Sequence, residues 1–226
     1  PSKKIEMLNA SEFRMLMNEA YTNQNAIDGG NRQLPYTQEQ IDNPEYDIDW
    51  QDMAFRTGIG HNQNVSISGG NAKTIYAATL NYLDEQGIFE TSDWSQISTR
   101  LNIESQVSKR IKLGVNISYN RIDNGQIETD NGNNSVPRAI LESFPDRPVY
   151  DDSGNWMVAD NDGYMNPIAL LYGIHQKRIT NKFIGSAFVE LKIANNLTFR
   201  SVFNGDLQSA KYDRYIDKGV SSPGLP

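Results

Sequence analysis

From Gln63 onward the chain alternates apolar and polar residues with a period of two, the spacing that sends one kind of side chain to each face of a β-strand. Between Thr74 and Leu83, Tyr76, Ala78, Leu80 and Tyr82 share one face, and Ala77, Thr79 and Asn81 the other. Gln96 to Val107 sets Ile97, Thr99, Leu101, Ile103 and Val107 against Ser98, Arg100, Asn102, Glu104 and Gln106. The longest regular run, Ile111 to Arg121, sets Ile111, Leu113, Val115, Ile117 and Tyr119 against Lys112, Gly114, Asn116, Ser118 and Asn120. Two further segments continue the pattern: Phe183 to Ile193, then Leu197, Phe199 and Phe203 opposed by Arg200, Asn204 and Asp206. Asn64-Val65-Ser66-Ile67-Ser68 supplies a sixth candidate strand.

The connections alternate in length. Gly69-Gly70-Asn71-Ala72, Ser108-Lys109-Arg110 and Ala194-Asn195-Asn196 read as tight turns, whereas Asp84 to Asp93 and residues 122–181 are long. Segments of about 10–12 residues suit the ~9–11 that cross a bilayer at a tilt, and short turns opposite long loops are the habit of outer-membrane barrels. The expected fold is all-β: a segment of a large antiparallel up-and-down transmembrane β-barrel with long extracellular loops that carry short helices. Tyr76, Tyr82, Trp94 and Tyr119 are assigned to an interfacial aromatic girdle on the apolar face. A soluble β-rich carbohydrate-binding or adhesive module is the alternative, because a sandwich also pairs an apolar face with a polar one.

The first sixty residues differ in kind. Asn9 before Ala10, Ser11 and Glu12 has the form of a capping box, and Phe13, Leu16, Met17 and Ala20 recur at helical spacing, predicting a helix that ends near Tyr21. Thr22 to Tyr46 is rich in Asn, Gln, Gly and Pro, and reads as an elaborated loop with one or two helical turns. The expected division is an extracellular loop region with a short helix at 1–61, barrel strands at 62–121 and a long extracellular loop at 122–181. Barrel strands at 182–209 and the start of a further loop at 210–226 complete it. Pro1-Ser2-Lys3-Lys4, without an initiator Met or a signal segment, and the loop-like Ser221–Pro226 suggest an internal or processed piece.

Composition narrows the chemistry. A net charge of −7 argues against nucleic acid as a partner, and the absence of cysteine removes thiolate metal sites, thiol catalysis and disulfides. A mean hydropathy of −0.60 with no long apolar run excludes a membrane-spanning helix but not a barrel strand. Asp160-Asn161-Asp162-Gly163 invites a calcium loop, yet Val158 stands where a first ligand is needed and no acidic residue closes the loop, so a turn is expected. His61 and His175 are far apart, and no metal or cofactor is expected. Paired carboxylates such as Asp151 with Asp152, or Asp206 with Asp213, could be imagined as a glycosidase pair, but solvated acids are the plainer account; an enzyme is not expected. Trp156, Tyr164 and Tyr172 in the long loop are the candidate ligand contacts, since aromatic faces stack on sugars; packing of the loop itself, or of a capping partner, is the alternative.

Asp49-Trp50-Gln51-Asp52 with Phe55-Arg56-Thr57-Gly58, then Asn64 to Gly70 and Tyr82-Leu83-Asp84-Glu85-Gln86-Gly87-Ile88, resembles a signature of the SusC/RagA family of TonB-dependent outer-membrane transporters of Bacteroidetes. Pro148-Val149-Tyr150-Asp151 and Asn166-Pro167-Ile168-Ala169 are similar to loop features of the same family. The resemblance implies import of glycans or oligopeptides through a barrel filled by a plug, capped by a SusD-like surface lipoprotein and energised by TonB through the plug. It implies that this chain supplies the first extracellular loop and about six early strands, set in outer-membrane lipid and completed by the rest of its own barrel.

Overall fold

The computed structural model describes residues 3–129, 135–157 and 166–220. Three helices come first, α1 (Ala10–Asp28), α2 (Gln38–Asp42) and α3 (Trp50–Ala54). Four strands follow, β1 (Gly60–Gly70), β2 (Thr74–Gln86), β3 (Asp93–Gln106) and β4 (Ile111–Gln126); then α4 (Val136–Glu142), α5 (Pro167–Gly173), β5 (Ile174–Ala194) and β6 (Leu197–Ile216). The strands form one sheet in the order β1-β2-β3-β4-β5-β6, every neighbour antiparallel. No crossover and no second sheet occur among the described residues, so the sandwich alternative finds no counterpart.

Residues opposed across an antiparallel pair share a face, so the register converts the sequence pattern into rows. One row on the apolar face runs Val65, Leu80, Thr99, Tyr119, Phe183 and Leu207; the row nearer the tight turns runs Gly69, Tyr76, Ile103, Val115, Ala187 and Phe203. The opposite face carries rows such as Asn64, Asn81, Ser98, Asn120, Lys182 and Gln208. A one-residue slip would exchange the two faces, so the alternation itself fixes the register.

The strands run further than their apolar alternation. On the apolar side, Asp84, Asp123, Lys177, Lys211 and Asp213 occupy positions beyond Tyr82 and Tyr119 toward the long loops. Backbone pairing continues there because antiparallel hydrogen bonding needs no apolar side chain; β4 therefore reaches Gln126, β5 starts at Ile174 and β6 ends at Ile216. Trp94 is a correction. It pairs with Glu85 and Asn124, which places it on the polar face, and only Tyr76, Tyr82 and Tyr119 of the expected girdle lie on the apolar one. The parity of β3 decides this: Ile97, Leu101 and Ile103 are odd, and Trp94 is even.

Helix α1 is longer than its apolar spacing predicts. Asn9 Oδ1 accepts from Glu12 N at 2.9 Å and Asn9 N donates to Glu12 Oε2 at 3.0 Å, closing the expected capping box. Thr22 to Asp28 then extends the helix by about two largely exposed turns, and it stops only where Gly29 adopts φ 66°. Polar residues end the amphipathic stripe, but a left-handed glycine ends the backbone spiral.

Apart from Ile174 and Phe188 on β5, the buried apolar side chains lie off the sheet. Trp50, Ala54, Val136, Ile140, Val149, Leu170, Leu171 and Val220 pack together where α3, α4 and α5 meet the loop ends of the strands. The sheet's own apolar side chains stay uncovered, with Val65 at 67% and Phe203 at 67% exposure.

Candidate functional site

Three surfaces carry the chemistry: the uncovered apolar face, the polar face behind it, and the helical cap over the loop ends. On the apolar face, Ile111 to Tyr119 spans nine residues of β4, within the ~9–11 that a tilted strand needs to cross hydrocarbon. Among the described residues nothing packs over this band, and each strand has a paired neighbour on both sides except β1 and β6 at the sheet's edges.

On the polar face near the tight turns, Phe188 lies flat over Gly114 and is only 6% exposed. The Arg200 guanidinium sits 4.1 Å from its ring centroid and the Lys112 ammonium 5.9 Å, each also beside a carboxylate: Glu190 at 3.8 Å and Glu104 at 2.6 Å. A side chain on Gly114 would collide with that ring. Gly114→Leu is accordingly expected to displace Phe188 and cost about 1–3 kcal/mol, read as a lower urea midpoint of the complete barrel in lipid. A midpoint equal to wild type would refute the packing account.

Toward the loops the same face opens into a recess of about 330 Å³ lined by Thr79, Asn81, Ser98, Arg100, Asn120 and Lys182 among others. Ser98 Oγ donates to Asn120 Oδ1 at 3.0 Å and Gln96 Nε2 to Ser98 Oγ at 2.7 Å, so the floor is a hydrogen-bonded ladder of neutral groups. One step further lies the row Glu85, Trp94, Asn124, Arg178 and Tyr212. Trp94 and Tyr212 are aromatics that sequence reasoning did not place on the polar face; the parity of their strands was the signal that would have placed them there.

The cap explains most of the motif residues. Asp49 caps α3, its Oδ1 accepting from Gln51 N at 2.9 Å and Asp52 N at 3.1 Å. Gln51 grips the extended segment before α1, accepting from Ile5 N at 3.0 Å and donating to Ile5 O at 2.7 Å. Arg56 clamps the β2–β3 loop through Gly87 O at 3.1 Å, Ser92 O at 2.9 Å and Asp93 Oδ1 at 2.8 Å. Asn166 caps α5 through Ile168 N and Ala169 N, while its amide donates to Val149 O at 2.8 Å. These residues cap helices and hold loops together, and Asp49 and Gln51 also line a cavity of about 480 Å³ between the segment before α1 and the Phe144–Pro145 stretch.

Asp49 is partly desolvated, which by itself would raise its pKa. The Asp52 amide and the Lys4 ammonium outweigh that and hold its carboxyl below the usual carboxylate range. A folded-state pKa below the unfolded one means the cap's contribution is complete above about pH 3.9 and fades as pH falls through the lower, folded value. Asp49→Ala should cost about 1 kcal/mol at neutral pH. Asp49→Asn should keep the neutral part of the cap and lose this acid dependence. Amide exchange of α3 across pH 2–7 checks both, and an acid response surviving in the Asn variant would refute the assignment.

Of the candidate ligand contacts, Trp156 is half-buried and stacks on Tyr150 with centroids 4.8 Å apart, pinned by a backbone bridge between the two. Tyr172 is 41% exposed on α5; partial burial pushes its phenol pKa up, and the nearby Glu90 carboxylate adds to that. Tyr150 is 51% exposed, so the cap presents both Tyr150 and Tyr172 at its surface, with Trp156 stacked on Tyr150. Tyr164 and the Asp160–Gly163 turn lie outside the described residues. Asp206 and Asp213 fall on opposite faces of β6, which separates that carboxylate pair, and Asp151 accepts from Ser153 N and Asn155 N at Oδ1 and from Asn155 Nδ2 at Oδ2. His61 and His175 are not brought together; His175 stacks on Tyr215 and approaches Asp217 at 3.4 Å.

No family model matches the chain. It is similar to TonB-dependent receptor P26 of Formosa agariphila, 27% identical over 211 residues that cover 91% of this chain and 20% of the relative. It is similar also to TonB-dependent receptor SusC of Bacteroides thetaiotaomicron, 24% identical over 213 residues covering 84% and 19%. The chain thus spans about a fifth of the length of the curated relatives it matches. In fold it follows the RagAB peptide importer in its closed-closed state, with TM-score 0.70, 16% identity and coverage of 96% of this chain and 27% of that one. A second structure, of the RagAB peptide transporter, gives 0.69 at 17% identity over 92% and 26%.

Proposed function

We propose that this chain, a SusC/RagA-like stretch of a bacterial outer-membrane TonB-dependent transporter, builds early barrel wall and extracellular loop cap for the uptake of glycans or oligopeptides. The observation that carries the reading is the apolar band: six strands in sequential order leave a registered apolar face uncovered and turn a polar face the other way. In water such a face would be an aggregation site; in lipid it is the wall's outer surface. The polar face then lines the lumen or meets the plug, and the outer sides of β1 and β6 pair with further strands of the same protein.

The cap is the natural place for a SusD-like lipoprotein and for the first contact with ligand, with Trp156, Tyr164 and Tyr172 as the loop aromatics concerned. TonB acts through the plug. No reaction is assigned to any residue.

The complete protein, produced in its outer membrane, should take up labelled oligosaccharide or oligopeptide pools only when TonB and the proton-motive force are intact. Uptake indifferent to both would overturn the transport reading. Orientation is tested separately by spin labels at Val115→Cys and Asn116→Cys in the full barrel. The first should collide with oxygen and the second with a water-soluble nickel chelate, and the reverse pattern would exchange the faces.

A further inference from the structure

The polar face has a charge opposite to that of the chain. Seven Lys or Arg and four Asp or Glu side chains lie on it across the six strands, a net of +3, whereas the whole chain carries −7. The excess is not spread evenly. Near the tight turns Lys112 and Arg200 are matched by Glu104 and Glu190, with Lys192 at the edge of the β5–β6 turn, and near the loops Arg214 approaches Glu128 at 3.7 Å. Between these lie Arg100, Lys182 and Arg178. Arg100 and Arg178 have no ion pair among the described residues, and Lys182 has only a 3.5 Å contact with the exposed Asp206.

Their spacing follows from the register. Arg100 pairs with Ser118 on β4 and Lys182 with Asn120, so the two cations stand two strands apart and two residues along, with Cα atoms about 12 Å apart at ordinary strand spacing and rise. Both line the same recess. Arg178 lies four residues further along β5 toward the loops, about 13 Å beyond Lys182, in the row that also carries Trp94 and Tyr212. The three cations therefore form a track from the loop end into the middle of the wall, floored by the neutral hydroxyl and amide ladder.

We propose that Arg100, Lys182 and Arg178 form a binding track for an oligomer bearing several carboxylates, with Trp94 and Tyr212 at its loop end as stacking surfaces. The proposal rests on the transport reading and names the substrate class it implies. An unpaired guanidinium recognises a carboxylate through two parallel hydrogen bonds, and a face enclosed by barrel walls focuses its field on a negative ligand. A small anion would occupy one of these sites; cations about 12 Å apart fit a chain of repeating units. Neutral hydroxyls and amides between them suit the sugar or peptide backbone that links the charges.

The test uses the complete transporter in lipid nanodiscs and four probes of equal length: tetragalacturonate, maltotetraose, tetraglutamate and tetraserine. Calorimetric binding should favour at least one carboxylated probe over its neutral counterpart by about tenfold or more, with the preference shrinking from about 10 mM to about 1 M salt. R100Q/R178Q should abolish most of that preference, bringing the carboxylated probe to about the affinity of its neutral counterpart. The glycan and peptide pairs separate the two sources of carboxylate. Equal affinity within both pairs would overturn the proposal, as would a preference that survives the double variant. Loss of protease protection of the plug in that variant, without a change in preference, would also overturn it, because the cations would then be plug contacts. Energy-dependent uptake of the neutral probes alone would sink this proposal and leave the transport reading standing; no TonB-dependent uptake of any probe would sink the transport reading itself.

Discussion

Val115→Arg in the complete barrel is expected to lower folding stability by about 2–4 kcal/mol, the cost of a cationic side chain held near the bilayer midplane. Val115 is the middle residue of the apolar run Ile111, Leu113, Val115, Ile117 and Tyr119, and its row partners Ile103, Ala187 and Phe203 offer no polar group to receive a guanidinium. The adjacent Asn116 lies among Asn102, Ser186 and Asn204 on the other face, and Asn116→Arg should change stability far less. Urea titrations of both variants in the same vesicles measure the difference. Equal effects would mean that neither face meets hydrocarbon.

Asp146→Ala should loosen the cap by about 3–5 kcal/mol, because it strands a buried guanidinium. Arg14, on α1, donates from Nε to Asp146 Oδ2 at 2.9 Å, with only 11% and 5% of the two side chains exposed. Arg14 Nη1 also donates to Gln40 O at 2.7 Å and its guanidinium lies 5.0 Å from the centre of the Tyr36 ring. Burial raises the Tyr36 phenol pKa, and the neighbouring Asp146 charge raises it further, so the phenol stays protonated beside the pair. Phe13 stacks on Phe144 at 4.8 Å next to it, and together these contacts tie α1 to a loop more than a hundred residues away. The loss should appear as faster amide exchange in α1 while the strands keep their protection. Replacing both partners by apolar residues, Arg14→Met with Asp146→Leu, should recover most of it. A single variant with unchanged α1 exchange would show that the pair holds nothing.

The amino-acid sequence by itself determined the strand count, the antiparallel order and which side chains share a face, because a period of two leaves no freedom once short turns fix neighbours. It determined the helix start at Asn9 through the capping box. Strand ends were not legible from apolar spacing: β5 and β6 run 21 and 20 residues because pairing persists where both faces are wet, and polar alternation there leaves no hydrophobic signature. Trp94 was misplaced for a related reason, since a large aromatic near a strand end looks like a girdle residue until its parity against Ile97 is counted. The motifs that carry the family resemblance also concealed their work: Asp49, Gln51, Arg56 and Asn166 cap helices and clamp loops, which only the hydrogen-bond partners reveal.

What the tertiary structure alone decided is everything joined across long separations. The buried Arg14–Asp146 pair, the apolar cluster of α3, α4 and α5, and the ring of Phe188 over Gly114 each bring together residues whose sequence neighbours give no hint of the contact. Local periodicity reports the faces of one element, whereas the partner of a face depends on how distant segments close upon one another. The run of cations from Arg100 through Lys182 to Arg178 belongs to the same class: each residue is ordinary in its own strand, and only the register of three strands sets them in line.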